Sequence, residues 1–136
     1  VQAVGDRPVS VDVHEDLVYV LNQGSDTIEA LEIKHGDDLK SVPQSTRPLS
    51  TTNANAAEVA FSPDGRVLAV TEKATQTIDT YLVQPNGRAD GPNAQPSSGA
   101  TPFGFQFGPD GRLYVSRRHR VALRRRTTST RGVSSA

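Results

Sequence analysis

A gapless internal repeat constrains this chain more than any other feature. The segment VYVLNQGSDTIEALEI (Val18–Ile33) lies over LAVTEKATQTIDTYLV (Leu68–Val83) at a constant offset of 50. Val20 meets Val70, Thr27 and Ile28 meet Thr77 and Ile78, Glu29 meets Asp79, and Ile33 meets Val83. A fixed period in the range of 20–50 residues signals a repeat architecture in which each copy buries its face against the next. Three related segments open the copies: RPVSVDV (Arg7–Val13), AAEVAF (Ala56–Phe61) and TPFGFQF (Thr101–Phe107). The second copy runs on as SPDGRVLAVT and the third as GPDGRLYVS, after which the likeness stops at Ser116.

Each copy reads as a run of short strands. Val9, Val11 and Val13 alternate with polar residues, as do Val59 with Phe61, and Phe103, Phe105 and Phe107. Such period-two alternation marks half-buried strands, and these are expected to be the innermost strand of each unit. Turns follow at Pro63-Asp64-Gly65 and Pro109-Asp110-Gly111. Proline presets φ there, aspartate bonds the backbone, and glycine takes the positive φ. Second strands rich in Val, Leu and Tyr come next (17–21, 67–71, 113–116), then polar loops, then third strands at 27–33 and 77–83. Residues 36–51 and 87–100 are rich in Pro, Gly, Asn and Ser, leaving room for a weak outer strand and the link onward. No segment has helical periodicity.

The fold class expected is therefore all-β, an incomplete β-propeller of two four-stranded blades plus the start of a third. The boundaries fall at 1–55, 56–100 and 101–116, with 117–136 a basic disordered tail. An ordinary antiparallel sandwich is the competing fold, but strand composition alone does not produce a gapless match of this length. An apolar share of 35% and an aromatic share of 5% are thin for one self-sufficient core, as suits stacked repeats. There is no cysteine, which excludes disulfides, thiolate metal sites and cysteine nucleophiles together. No apolar run reaches the roughly 20 residues of a membrane span, so the chain reads as soluble, with cytoplasmic and secreted or periplasmic locations both open.

The strings that carry the repeat also carry a family resemblance. RPVSVDV, LVYVLNQGSDTIEALEI, EVAFSPDGRVLAVTEKATQTIDTYLV and TPFGFQFGPDGRLYVS resemble consecutive blades of the lactonase-like propellers, which include 6-phosphogluconolactonase and fungal carboxy-muconate cyclase. The resemblance covers Arg7–Ser116. It implies a seven-bladed ring of roughly 330 residues. It further implies a centre at one channel mouth that hydrolyses or forms a small sugar-acid or aromatic-acid lactone without a cofactor. The alternative is a non-catalytic propeller that binds a ligand or protein. Fewer than three blades cannot close, so the exposed edges are expected to be covered by remaining blades or by self-association.

Charge is unevenly spread. All 15 acids lie between Asp6 and Asp110, against eight Lys and Arg up to Ser116, whereas 117–136 holds seven arginines and no acid. That tail, RRHRVALRRRTTSTRGVSSA, resembles a GC-rich gene read out of frame, and a frameshift or truncation is the expectation. A basic arm for nucleic acid or acidic membranes is the functional alternative. It is disfavoured, because the segment has neither aromatic interleaving for base stacking nor helical amphipathicity.

Candidate chemistry is sparse. His14, His35 and His119 are isolated, so no metal site is expected. No serine stands in a G-x-S-x-G elbow. Lactone chemistry needs an acid or base with cationic groups beside it, and a propeller supplies these from the loops of one rim. The rim positions here are Arg7, Asn22, Arg47, Glu58, Glu72, Lys73 and Phe103. Glu72, directly after a second strand, is the acid/base candidate, with Arg47 or Lys73 as electrostatic partner. Asn22, Glu58 and Phe103 are the ligand-binding candidates. The plain alternative for Glu72 and Lys73 is a hairpin cap in water.

Overall fold

The computed structural model describes residues 5–96, 102–117, 123–126 and 132–134. Thirteen strands pair antiparallel in three sheets, each wound in sequence order. The first sheet runs β1 (Pro8–His14), β2 (Leu17–Asn22), β3 (Thr27–Ile33) and β4 (Leu39–Ser41), with the short β5 (Arg47–Pro48) also on β3. The second is β6 (Ala56–Phe61), β7 (Val67–Glu72), β8 (Thr77–Val83) and β9 (Ala89–Pro96). The third is β10 (Pro102–Phe107), β11 (Leu113–Arg117), β12 (Leu123–Arg126) and β13 (Gly132–Ser134). A single 3-10 turn at His35–Asp37 is the only helix among the described residues, and none is long and apolar enough to cross a membrane.

The repeat holds in backbone detail. The bounds of β7 and β8 are those of β2 and β3 moved by the sequence offset of 50. Each innermost strand begins with a break in register, at Pro8/Ser10, Ala56/Glu58 and Pro102/Phe105. Both PDG turns take the expected form. Gly65 and Gly111 have φ of 73° and 83°, and Asp64 and Asp110 each accept the N–H two residues on, from Arg66 at 3.0 Å and Arg112 at 3.1 Å. Asp26 and Gln76, equivalent positions in the loops before the third strands, share a positive φ of 53°.

Face-to-face stacking makes the core. Tyr19, Leu21, Ile28 and Ala30 on the first blade's trailing face meet Val59, Phe61, Leu68, Val70 and Tyr81 on the second blade's leading face. Ala69 and Ile78 then meet Phe105 and Phe107 of the third. Pairing register makes Val11, Val59 and Phe105 equivalent, and likewise Val13, Phe61 and Phe107. Where a blade precedes them these side chains are buried: Val59 is 2% exposed, Phe61 8%, Phe105 6% and Phe107 8%. On the first blade Val11 and Val13 are 59% and 50% exposed. The innermost strands are thus those expected, but burial follows position in the stack.

Polar side chains stitch the innermost strands together. Val59 N–H donates to Ser10 Oγ at 3.2 Å, Phe61 N–H to Asp12 Oδ2 at 2.8 Å, and Phe105 N–H to Glu58 Oε1 at 3.3 Å. Two tyrosines bond across the first interface, Tyr19 Oη to Gly87 O at 2.7 Å and Tyr81 Oη to Pro48 O at 2.8 Å.

Strand pairing also extends beyond Ser116, the expected end of the third unit. β12 lies on β11 with Ser116 opposite Leu123, and β13 lies on β12. Ladder hydrogen bonds use only main-chain groups, so a segment can pair whatever its side chains are. By register Arg117, Arg124 and Arg126 stand where the second blade has Glu72, Asp79 and Tyr81. The remainder of 117–136, including Val121, lies outside the described residues, and with it most of the segment expected to be disordered.

Candidate functional site

One end of the stack carries the β2–β3 and β7–β8 turns together with the linker from the first blade to the second. It is the end on which the rim candidates were expected. The linker is fastened to both turns. Gln23 Nε2 donates to Asn55 Oδ1 at 3.1 Å and to Ala56 O at 2.9 Å. Asp26 accepts Asn53 N–H at 2.9 Å and Ala54 N–H at 3.2 Å, while Lys73 N–H and Ala74 N–H donate to Asn55 O and Ala54 O.

Glu72 sits under this linker and is fully buried. Its Oε1 accepts from Thr51 Oγ1 at 2.8 Å and Thr75 Oγ1 at 2.6 Å, and its Oε2 from Ser50 Oγ at 2.8 Å and Ser50 N–H at 3.2 Å. Beside it is Asp79, also fully buried, whose Oδ2 accepts Ser50 N–H at 3.0 Å. The hairpin-cap alternative has the right location, but the carboxylate is sealed from water. Burial pushes Glu72 up, yet hydrogen bonds from Asp79, Thr75, Thr51 and Ser50 outweigh it and hold the group below the ordinary carboxylate range. Burial, and then the contact with Glu72, push Asp79 up to about 7.

The expected pairing of Glu72 with Arg47 is replaced by these hydroxyls and Asp79. Arg47 lies on β5, and its guanidinium bonds three carbonyls, Ala89 O at 2.8 Å, Gln44 O at 2.8 Å and Thr46 O at 2.9 Å. A fork so engaged ties the first blade's outer edge to the second blade. Lys73 is half-buried on the turn itself.

Asn22, at the position of Glu72 in the first blade, is also fully buried, and among the described residues its side chain reaches Thr27 Oγ1 at 3.5 Å. Gly5 lies over it so closely that a Cβ there would fall 2.3 Å from Asn22 Nδ2. Arg7 is exposed at the same end, with a φ of 54°. Glu58 is half-buried on β6, where the register break lets it reach the third blade. Burial raises its affinity for a proton, the bond from Phe105 N–H opposes this, and Asp12 adds to it. Phe103 belongs to β10 by its backbone, and its side chain lies outside the described residues. At the other end of the strands an open cleft of about 860 Å³ includes His14, Asp16, Asp64, Arg66 and Asn86 in its lining.

Residues 2–130 match the model of the family described as lactonase, 7-bladed beta-propeller. The chain belongs to this lactonase family. Solved structures with the same fold share little sequence with it. A Bacteroides fragilis protein provisionally assigned as a 6-phosphogluconolactonase superposes with a TM-score of 0.75 at 21% identity, over 94% of this chain and 37% of the other. The periplasmic gluconolactonase of Pseudomonas aeruginosa gives 0.71 at 19%, over 89% and 36%. Virginiamycin B lyase from Staphylococcus aureus gives 0.70 at 18%, over 93% and 40%. This lactonase-family chain thus spans about two fifths of the structures it matches. No curated protein matches it.

Asp79, Ser50, Thr51 and Thr75 escaped the sequence reading. A signal was present for Asp79: it is opposite Val70 and so shares the apolar face of Leu68, Val70 and Glu72.

Proposed function

We propose that this chain supplies blades to a lactonase-like propeller that hydrolyses or forms a small sugar-acid or aromatic-acid lactone without a cofactor. The family match over residues 2–130 carries the reading. Within the chain, Glu58 is the acid best suited to the channel. It sits on an innermost strand, is only half-buried, and has its proton affinity raised by burial. Such a carboxylate can take a proton from water attacking the lactone carbonyl, and the exposed Arg7 guanidinium at the same end can stabilise negative charge on the acid product. Loops of further blades complete the mouth, and a preceding blade or a second copy covers Val9, Val11 and Val13.

A second reading, a ligand- or protein-binding propeller without catalysis, is favoured by one observation: Glu72 and Asn22 are both sealed from solvent. A seven-bladed family member with glutamate at the Glu58 position separates the two. Under the first reading its lactone turnover falls at least about 100-fold on Glu→Gln substitution there. Lactone binding with no turnover in the parent protein supports the second.

A further inference from the structure

We propose that Glu72 and Asp79 share a single proton, and that this proton latches the linker of residues 49–55 onto the second blade. Both side chains are completely buried. A single N–H, that of Ser50, donates to one oxygen of each, at 3.2 Å and 3.0 Å, which places the two carboxyl groups side by side. Two carboxylates placed side by side and buried do not both ionise, because neither the repulsion nor the lost hydration is compensated. Asp79 Oδ1 has no hydrogen-bond partner among the described residues, and no cluster of three or more metal-binding side chains occurs among them.

The charged and titratable groups packed around the pair do not neutralise it. From β8, Tyr81 turns its hydroxyl to Pro48 O, and from β2, Tyr19 turns its own to Gly87 O. Arg47 on β5 is held by three carbonyls, and Asp26 on the β2–β3 turn is another acid, bonded to the same linker. Lys73 follows Glu72 in the chain, its N–H on Asn55 O. What shifts Glu72 and Asp79 is burial, the surrounding hydrogen bonds and each other.

The direction of the pH effect follows from linkage. Asp79 holds its proton in the folded chain up to about 7, against an ordinary 3.8. The Asp79 proton therefore stabilises the latch fully at about pH 4, less as pH rises, and not at all above about pH 7. In stronger acid Glu72, held below the ordinary carboxylate range, takes up a proton of its own and the single shared proton is lost. Because the linker carries Asn53 and Asn55 at the blade-turn end, the shape of that end changes over the same range.

Amide hydrogen exchange on the full 136-residue chain tests this, with rates corrected for their intrinsic pH dependence. Protection of Ser50 N–H is expected to fall about tenfold per pH unit between pH 5 and 7 and to level off above. In Asp79→Asn, whose amide replaces the protonated carboxyl, the same protection stays flat and exceeds the parent's at pH 8. Glu72→Gln provides a second variant with one carboxyl; Asp79 stays buried there but loses its acidic neighbour, so the pH dependence is expected to be shallower than the parent's. A parent without pH dependence at Ser50, an Asp79→Asn variant that keeps it, or a Glu72→Gln variant as steep as the parent would overturn the proposal. So would calcium chloride restoring protection at pH 8 in the parent but not in Asp79→Asn, since a cation would then occupy the proton's place.

Discussion

Phe61→Ala is expected to destabilise the chain by about 3–5 kcal/mol, whereas Val13→Ala at the equivalent position of the first blade costs under about 0.5 kcal/mol. Phe61 is wedged between blades, its ring edge-on to Tyr19 at 5.9 Å and near His14 at 5.7 Å. Truncating it opens a cavity lined by both sheets, and the sheets cannot close the gap without breaking the bond from Phe61 N–H to Asp12. Val13 loses little, because half its surface is already in water. Urea denaturation of the two variants checks the contrast. Equal losses would mean that the first blade's leading face is buried in solution, and covered by something.

The second large effect concerns the linker. Glu72→Ala removes the acceptor of four hydrogen bonds at once, from Ser50 N–H, Ser50 Oγ, Thr51 Oγ1 and Thr75 Oγ1. It leaves Asp79 buried beside Ser50 without its acidic partner, so a loss of about 3–5 kcal/mol is expected. Asn22→Ala, the same position one blade earlier, is expected to cost about 1 kcal/mol. Among the described residues the Asn22 amide donates to Thr27 Oγ1 at 3.5 Å, and its Oδ1 lacks a partner. Thermal unfolding at pH 6 measures both. A Glu72→Ala variant as stable as the parent would mean that the carboxylate is not the linker's anchor.

Much of this architecture is legible in the sequence because strands record their environment every second residue. The alternation around Val59, Phe61, Phe105 and Phe107, the two PDG turns and the offset between β2–β3 and β7–β8 carry through into the structure. Exposure of Val11 and Val13 is not legible, since the pattern is the same in all copies and only the presence of a preceding blade differs. The setting of Glu72 is not legible for a related reason. A charged residue at a strand end suggests a rim in water, but its parity with Leu68 and Val70 places it on the leading face. What seals it is Ser50 and Thr51, about twenty residues earlier in a linker without periodicity. Arg47 illustrates the same limit. Its charge suggests a carboxylate partner, while its place on β5 surrounds it with carbonyls.

The central claim is that these blades need the rest of a closed ring for chemistry and that Glu72 is an anchor rather than an acid/base. Catalytic groups must be held to within about 0.5 Å by their surroundings, and the leading face of the first blade is open to solvent. Hydrolysis of sugar-acid lactones, followed by titration of the released acid, measures the claim directly on the monodisperse chain, Glu72→Gln and Glu58→Gln. All three are predicted to match the spontaneous rate. Turnover above that rate in the parent chain, abolished by Glu72→Gln and retained in Glu58→Gln, would contradict the account.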